Sequence, residues 1–277
     1  MSCYNGAKTG DHFMNVWATL KRFIANFIRY KDLLVELVKK DIQLKYRNSM
    51  LGVLWSMLNP LLMTLVISIV FMTIFKSDIA YFPAYVMAGR IIYQFFAEST
   101  DFAMSSIQAN GSLIRKIYIP KYFFPLSRVC SSFVTTLISL IPFALLMAVM
   151  GVPFRWTSLL FLIPLIYLFG ISVGVGLLLS SINIFFRDSK YLYSIFLTII
   201  MYLSPIFYPV SIIPEHFLVF IQFNPLFIIM EMFRNMVLYG MMPSAFDHIV
   251  SILYLFVLGT AGTFIFYKSQ DRFIYYL

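Results

Sequence analysis

Charge is scarce in this chain, and so are the residues that build catalytic or metal centres. Charged side chains make up 12% of its 277 residues, against 61% hydrophobic, and the mean hydropathy is +0.85. A soluble fold cannot hide that much apolar surface, so a polytopic membrane protein is expected. The apolar runs are too long and continuous for outer-membrane strands, which alternate and last only about 10 residues. The three histidines, His12, His216 and His248, have no partners at ligand spacing. Two cysteines, Cys3 and Cys130, suggest neither a disulfide framework nor a metal site. A phosphate-binding loop is missing too: the nearest stretch, Gly111–Lys116, lacks the second glycine. No soluble stretch is long enough for a nucleotide-binding domain, and no serine–histidine–acid set can be assembled. Enzymatic activity is therefore not expected, and any ATPase must be another chain. Residues 1–20 show no basic stretch followed by an apolar core and a cleavage site, so no signal peptide is expected.

What the chain has instead is a succession of membrane-compatible runs. Residues 1–26 read as a tail. Over 27–47, Phe27, Tyr30, Leu33, Leu34, Leu37, Val38 and Ile42 recur at helical spacing. Arg29, Lys31, Asp32, Glu36, Lys39 and Lys40 fill the other side, giving a basic amphipathic helix suited to a membrane interface. Spans are expected over about 52–75, 82–105, 123–150, 159–183, 191–208 and 248–267, since a helical crossing needs roughly 20 apolar residues. Asn59-Pro60 predicts a kink or a break in the first. Gly170, Gly174 and Gly176 give the fourth a small-residue packing face. Pro205, Pro209, Pro214 and Pro225 cut residues 205–240 into two helices, about 215–223 and 226–239, too short to cross and therefore re-entrant or lying at one face. Seventeen of the 21 Lys and Arg residues fall on one side of this arrangement, which puts both termini in the cytoplasm and requires an even number of spans; six satisfies it. The net charge of +9 is explained by that asymmetry without nucleic acid.

The second run is unusual in carrying Arg90, Glu98 and Asp101. At about 100° per residue all three fit within a quarter of the helix surface. Charges at such depth normally face a bundle interior or a water-filled cavity, although Asp101 fits equally well at a wet helix end. The 30 Phe, 18 Tyr and 3 Trp residues fit sugar stacking, but they fit bilayer interfaces and span filling better.

Four stretches follow one family in order and spacing: DIQLKYRNSMLGVLWSMLNPL at 41–61, NGSLIRKIYIPKYFFPLS at 110–127, FFRDSKYL at 185–192, and SPIFYPVSIIPEHF with FNPLFIIMEMFRNMVLYG within 204–240. The chain resembles the membrane subunits of ATP-binding cassette exporters of cell-envelope polysaccharides, those of O-antigen, capsule and teichoic acid, over nearly all of 27–267. The resemblance implies an all-α permease domain over 51–267, with a cytoplasmic tail from 268 to 277. It implies a homodimer in the cytoplasmic membrane, two separate ATPase subunits that hold the ATP and Mg, and a lipid-linked polysaccharide moved through a channel at the dimer interface. This chain itself needs no cofactor or metal. Lys39, Lys40, Lys45 and Arg47 would meet the lipid carrier or headgroups. Asn110, Leu113, Arg115, Lys116, Tyr118 and Lys121, on a coupling helix at about 110–121, would dock on the ATPase with Arg187 and Asp188. Tyr208, Pro209, Asn224, Pro225, Glu231 and Arg234 belong to the outward gate at about 215–239. Arg90 and Glu98, with Tyr93, Phe95 and Trp55, are the candidate substrate path. Arg90 departs from the family pattern, where an apolar residue is expected. An exporter of drugs or small lipids on the same scaffold is the alternative, and a glycan-modifying membrane enzyme or a channel without an ATPase is a more distant one.

Overall fold

The computed structural model describes residues 27–47, 51–52, 54–74, 79–116, 119–210, 213–214, 216 and 221–277. The 1–26 tail, Tyr118 and most of the 215–223 gate piece lie outside the described residues. Among those described the chain is helical, with no strand.

Helix α1, Lys31–Tyr46, buries Leu34 and Leu37 and leaves its lysines exposed. Asp32 in its first turn and Lys45 in its last complement the helix dipole. Helix α2, Leu54–Ile74, runs unbroken through Pro60, where a kink or break is expected. The proline ring removes the N–H that would bond the Ser56 carbonyl one turn back. Ser139 supplies the missing donor, its hydroxyl reaching that carbonyl at 2.9 Å. A neighbouring helix thus satisfies the freed backbone group, which is how prolines are tolerated inside apolar bundles.

Helix α3, Phe82–Ala109, is the hub, with 17 of its 28 residues buried. Around it stand α2, α5 (Phe123–Val149), α6 (Leu162–Phe185), α7 (Ser189–Leu203) and α8 (Pro225–Arg234). A short helix α4, Gly111–Lys116, follows the hub directly, and a 3-10 turn, Trp156–Phe161, leads into α6. Helix α8 continues as a π-turn, Asn235–Tyr239, that stops at Gly240 with φ +71°. The last long helix, α9 (Ala245–Ser269), begins with Ser244 and Asp247 in a reciprocal capping box.

Among the described residues, four segments are long and apolar enough to cross a membrane: α2, α5, α6 with its preceding turn, and α9. Helix α3 has the length but carries Arg90, Glu98 and Asp101, and α7 has only 15 residues. The predicted small-residue face of α6 proves to be two faces. A Cβ on Gly170 would meet Leu255, and one on Gly174 would lie 2.5 Å from the Leu258 carbonyl oxygen of α9. Gly262 of α9 returns the contact against the Gly174 carbonyl. Gly176 points the other way, to Ala103 of the hub.

The bundle has two distinct ends. At one, Leu37 of α1, Ile114 of α4, Ile119, Phe124, Ile184 and Phe273 share a cluster, which brings the first and last described segments together. At the other, the hydroxyls of Thr157 and Ser158 in the 3-10 turn donate to the carbonyls of Met236 and Val237 in the π-turn.

Candidate functional site

A cavity of about 170 Å³ opens among the C-terminal end of α1, the start of α2, the middle of α3 and the middle of α5. Most of its lining residues are polar although apolar helices build it. Helix α3 contributes Arg90, Gln94 and Glu98, spaced four residues apart so that they stack along one face. Helix α2 supplies Trp55 and Asn59, and α5 supplies Thr135, Thr136 and Ser139. Arg90 donates to Gln94 at 3.4 Å. Of the predicted path residues, the cavity thus gathers Arg90, Glu98 and Trp55. Tyr93 and Phe95 point elsewhere: the Tyr93 hydroxyl donates to the Leu197 carbonyl of α7 at 2.9 Å, and Phe95 is buried edge-on against Phe133. Asp101 is outside the cavity lining.

Sequence reasoning missed Gln94, Asn59 and the hydroxyls of α5. Gln94 was detectable, since it sits midway between two charges on one helical stripe. The α5 hydroxyls were not, because their direction depends on which helix packs beside them.

Two ion pairs fasten α1 to the bundle beside this cavity. Lys45 pairs with Glu98 of α3, so a cation expected at lipid headgroups meets a carboxylate expected on the substrate path. Asp41 pairs with Arg128 of α5 at 3.2 Å. Burial lifts the Asp41 carboxyl above the ordinary carboxylate range; Arg128, Lys40 and the Ser127 hydroxyl pull it back only in part. Lys39, Lys40 and Arg47 remain exposed, Lys39 bridged to Glu36 at 2.8 Å on its own helix.

At the end of the bundle that carries the π-turn, Arg234 is fully buried. Its guanidinium donates to the carbonyls of Tyr85, Pro205 and Ile206 and to the Glu231 carboxylate, and it lies 3.5 Å over the Tyr85 ring. Gly89 leaves the room: a Cβ there would lie 2.5 Å from an Arg234 nitrogen. Asn224 caps α8 by accepting from the Leu226 N–H at 3.0 Å and donates to Ser204 at 3.2 Å, with Pro225 beginning the helix. The Tyr208 hydroxyl donates to the Tyr202 carbonyl at 2.8 Å, and Pro209 is half-buried beside it in sequence. The predicted gate residues of α8 are therefore bound into its packing on the hub.

At the opposite end, Asn110 ends α3, its side-chain amide donating to the Ser106 carbonyl at 2.8 Å. Leu113 packs into the local apolar cluster. Arg115 donates to the Leu277 carbonyl, and Lys121 donates to the Gln270 carbonyl at 2.6 Å while lying 6.0 Å over the Phe273 ring. Residues 270–277 thus brace α4 from behind. Lys116, Arg187 and Asp188 are exposed.

The sequence matches the profile of the ABC-2 type transporter family over residues 32–238. It is 31% identical over 246 residues to the O-antigen export system permease protein RfbA of Klebsiella pneumoniae, covering 87% of this chain and 93% of that protein. It is 27% identical over 258 residues to the protein of the same name from Myxococcus xanthus, covering 91% and 98%. It is 27% identical over 244 residues to the polysialic acid transport protein KpsM of Escherichia coli, covering 84% and 91%.

Proposed function

The chain belongs to the ABC-2 type transporter family, and from that premise we propose that it is the permease subunit of an ATP-driven exporter of lipid-linked polysaccharide in the cytoplasmic membrane. It is not itself an enzyme; ATP and Mg are held by two copies of a separate cassette subunit, and two permeases form the membrane part. The six spans are α2, α3, α5, α6, α7 and α9, with both termini in the cytoplasm. The Lys and Arg residues at the α1 and α4 end support that orientation.

The observation that carries this reading is the uncovered polar stripe on the most buried helix. Tyr93, about 60° to one side of Arg90, is held by α7; Glu98, about 80° to the other, meets the α1 and α2 side. Arg90 and Gln94 lie between. Facing lipid, such a stripe would be costly; facing a polar path between two subunits, it is satisfied. Helices α2 and α7, which flank the hub, are the least covered: Leu62, Val66 and Ile69 of α2 and Leu192, Ile195 and Ile199 of α7 are exposed. A second subunit on these faces would close a channel over the stripe. Polymer would move along it by weak, repeated contacts, since one tight site would halt it. The α4 helix would receive the ATPase, and α8 would form part of the outward lid.

Depleting the chain in cells tests this. Glycan should accumulate inside, and gentle purification should retain a cassette ATPase whose hydrolysis lipid-linked glycan stimulates. Normal surface glycan with loss of small-molecule resistance would favour a drug or lipid exporter instead.

A further inference from the structure

We propose that the cavity between α1, α2, α3 and α5 is a subsite for a single sugar ring, one in each subunit. The proposal rests on the exporter reading above and assigns the cavity a ligand chemistry. Its volume of about 170 Å³ is below the roughly 300–1,000 Å³ of whole small-molecule sites, so it holds one unit of a chain and not a length of it.

The donors and acceptors around the cavity choose between a sugar and an anion. The hydroxyl protons of α5 are already committed: Thr135 and Thr136 donate to the Ser132 carbonyl at 2.9 Å, and Ser139 donates to the Ser56 carbonyl at 2.9 Å. These three oxygens therefore offer lone pairs to the cavity. Glu98 adds a carboxylate there. A phosphate, which brings only acceptors at full ionisation, would face all of these. A sugar hydroxyl both donates and accepts, and it matches them. The N–H groups needed by its other lone pairs come from Arg90 and from the amides of Gln94 and Asn59. Trp55, 45% exposed, gives the apolar surface on which the C–H face of a sugar ring packs. Charge points the same way. The Lys45–Glu98 pair is internally neutral, and Arg90 has an amide and not a carboxylate as its hydrogen-bond partner. Arg90 is thus left as a single positive charge among neutral donors and acceptors, unlike the clustered cations that recognise phosphate.

A single-tryptophan protein tests the proposal. Trp17→Phe and Trp156→Phe leave Trp55 as the permease's one tryptophan, and its signal is the difference from a matched Trp55→Phe sample of the same permease with its ATPase, in nanodiscs free of glycolipid. Glucose, galactose, mannose, N-acetylglucosamine and inorganic phosphate are titrated up to roughly 100 mM, where even very weak sites fill. The expected result is a saturable change in Trp55 fluorescence with at least one sugar and none with phosphate. Gln94→Leu, at an exposed position, should weaken the response roughly tenfold, the loss of about one hydrogen bond to a polar ligand. A response to free sugar assigns the site to the exported chain. A response that appears only in discs containing a glucosyl diacylglycerol assigns the same ring chemistry to a membrane glycolipid. Silence with every sugar and glycolipid, or a response to phosphate alone, overturns the proposal. Glycan accumulation on depletion is independent of this measurement, so the exporter reading can stand while the subsite falls.

Discussion

A guanidinium has five N–H donors, and a fully buried one needs a partner for each. Arg234 finds five bonds within 3.3 Å, on three backbone carbonyls and one carboxylate. Those partners belong to α3, to the bend at 205–206 and to α8, so one side chain ties three segments. Arg234→Ala should lower stability by about 3–5 kcal/mol, because it leaves Glu231 and the carbonyls without their cation. Arg234→Lys should recover little, since an ammonium cannot reproduce the planar fork. Thermal unfolding of the solubilised protein checks both; a lysine variant as stable as the parent would refute the fork argument. Asp41 offers a pH prediction with a definite sign. Its carboxyl is raised in the folded state, so the proton stabilises the fold. The stability this adds is complete below the unfolded carboxylate range and is lost as pH rises through the raised folded value. Asp41→Asn should flatten that part of the melting-temperature profile, and an unchanged slope would show that another group carries it.

At the scale of elements, what the sequence makes legible depends on whether a signal is local. Apolar runs specify helices, and helices occupy each expected run; the short helix expected from about 226 begins at Pro225, with Asn224 as its cap. The Asn59-Pro60 dipeptide does not break the helix, and the sequence could not show why: the donor Ser139 lies 83 residues from the Ser56 carbonyl that it serves. The glycines of α6 are read correctly as packing residues, but which neighbour each one meets depends on the tertiary arrangement. The charges of the second run are anomalous in sequence, and what each one meets, Lys45 of α1 for Glu98 and Gln94 for Arg90, depends on the tertiary arrangement. Two substitutions separate packing from propensity. Gly174→Ala puts a Cβ 2.5 Å from a backbone oxygen of α9, and overpacking of this kind costs about 1–3 kcal/mol. Gly259→Ala meets nothing within 4 Å and should be neutral, or stabilising by up to about 1 kcal/mol through helix propensity. Melting temperatures that move together would mean that the α6–α9 contact is looser than drawn.

For the whole molecule, the coupling role proposed for α4 raises the question of how a push there would reach the membrane helices. Six residues of helix cannot hold their own shape against a load, because short helices are marginal without tertiary support. The support is visible. Arg115 is held by Leu277, Lys121 by Gln270, and Phe273 is buried against Phe266 of α9 and Phe185 of α6. A force on α4 would therefore have a route into α6 and α9 through 270–277, as well as directly into α3 across Asn110. Docking and transmission can be separated by choosing residues on opposite sides of this brace. Lys116→Glu alters only an exposed side chain; it should leave the melting temperature unchanged and reduce recovery of the ATPase on gentle purification. Phe273→Ala removes a fully buried ring at a cost of about 3–5 kcal/mol and leaves the exposed face of α4 as it is. If the brace transmits, that variant should still recover the ATPase and still hydrolyse ATP, but deliver less glycan to the surface for each ATP consumed. Full export per ATP in Phe273→Ala, at a temperature where the protein remains folded, would mean that the stroke passes through α3 alone.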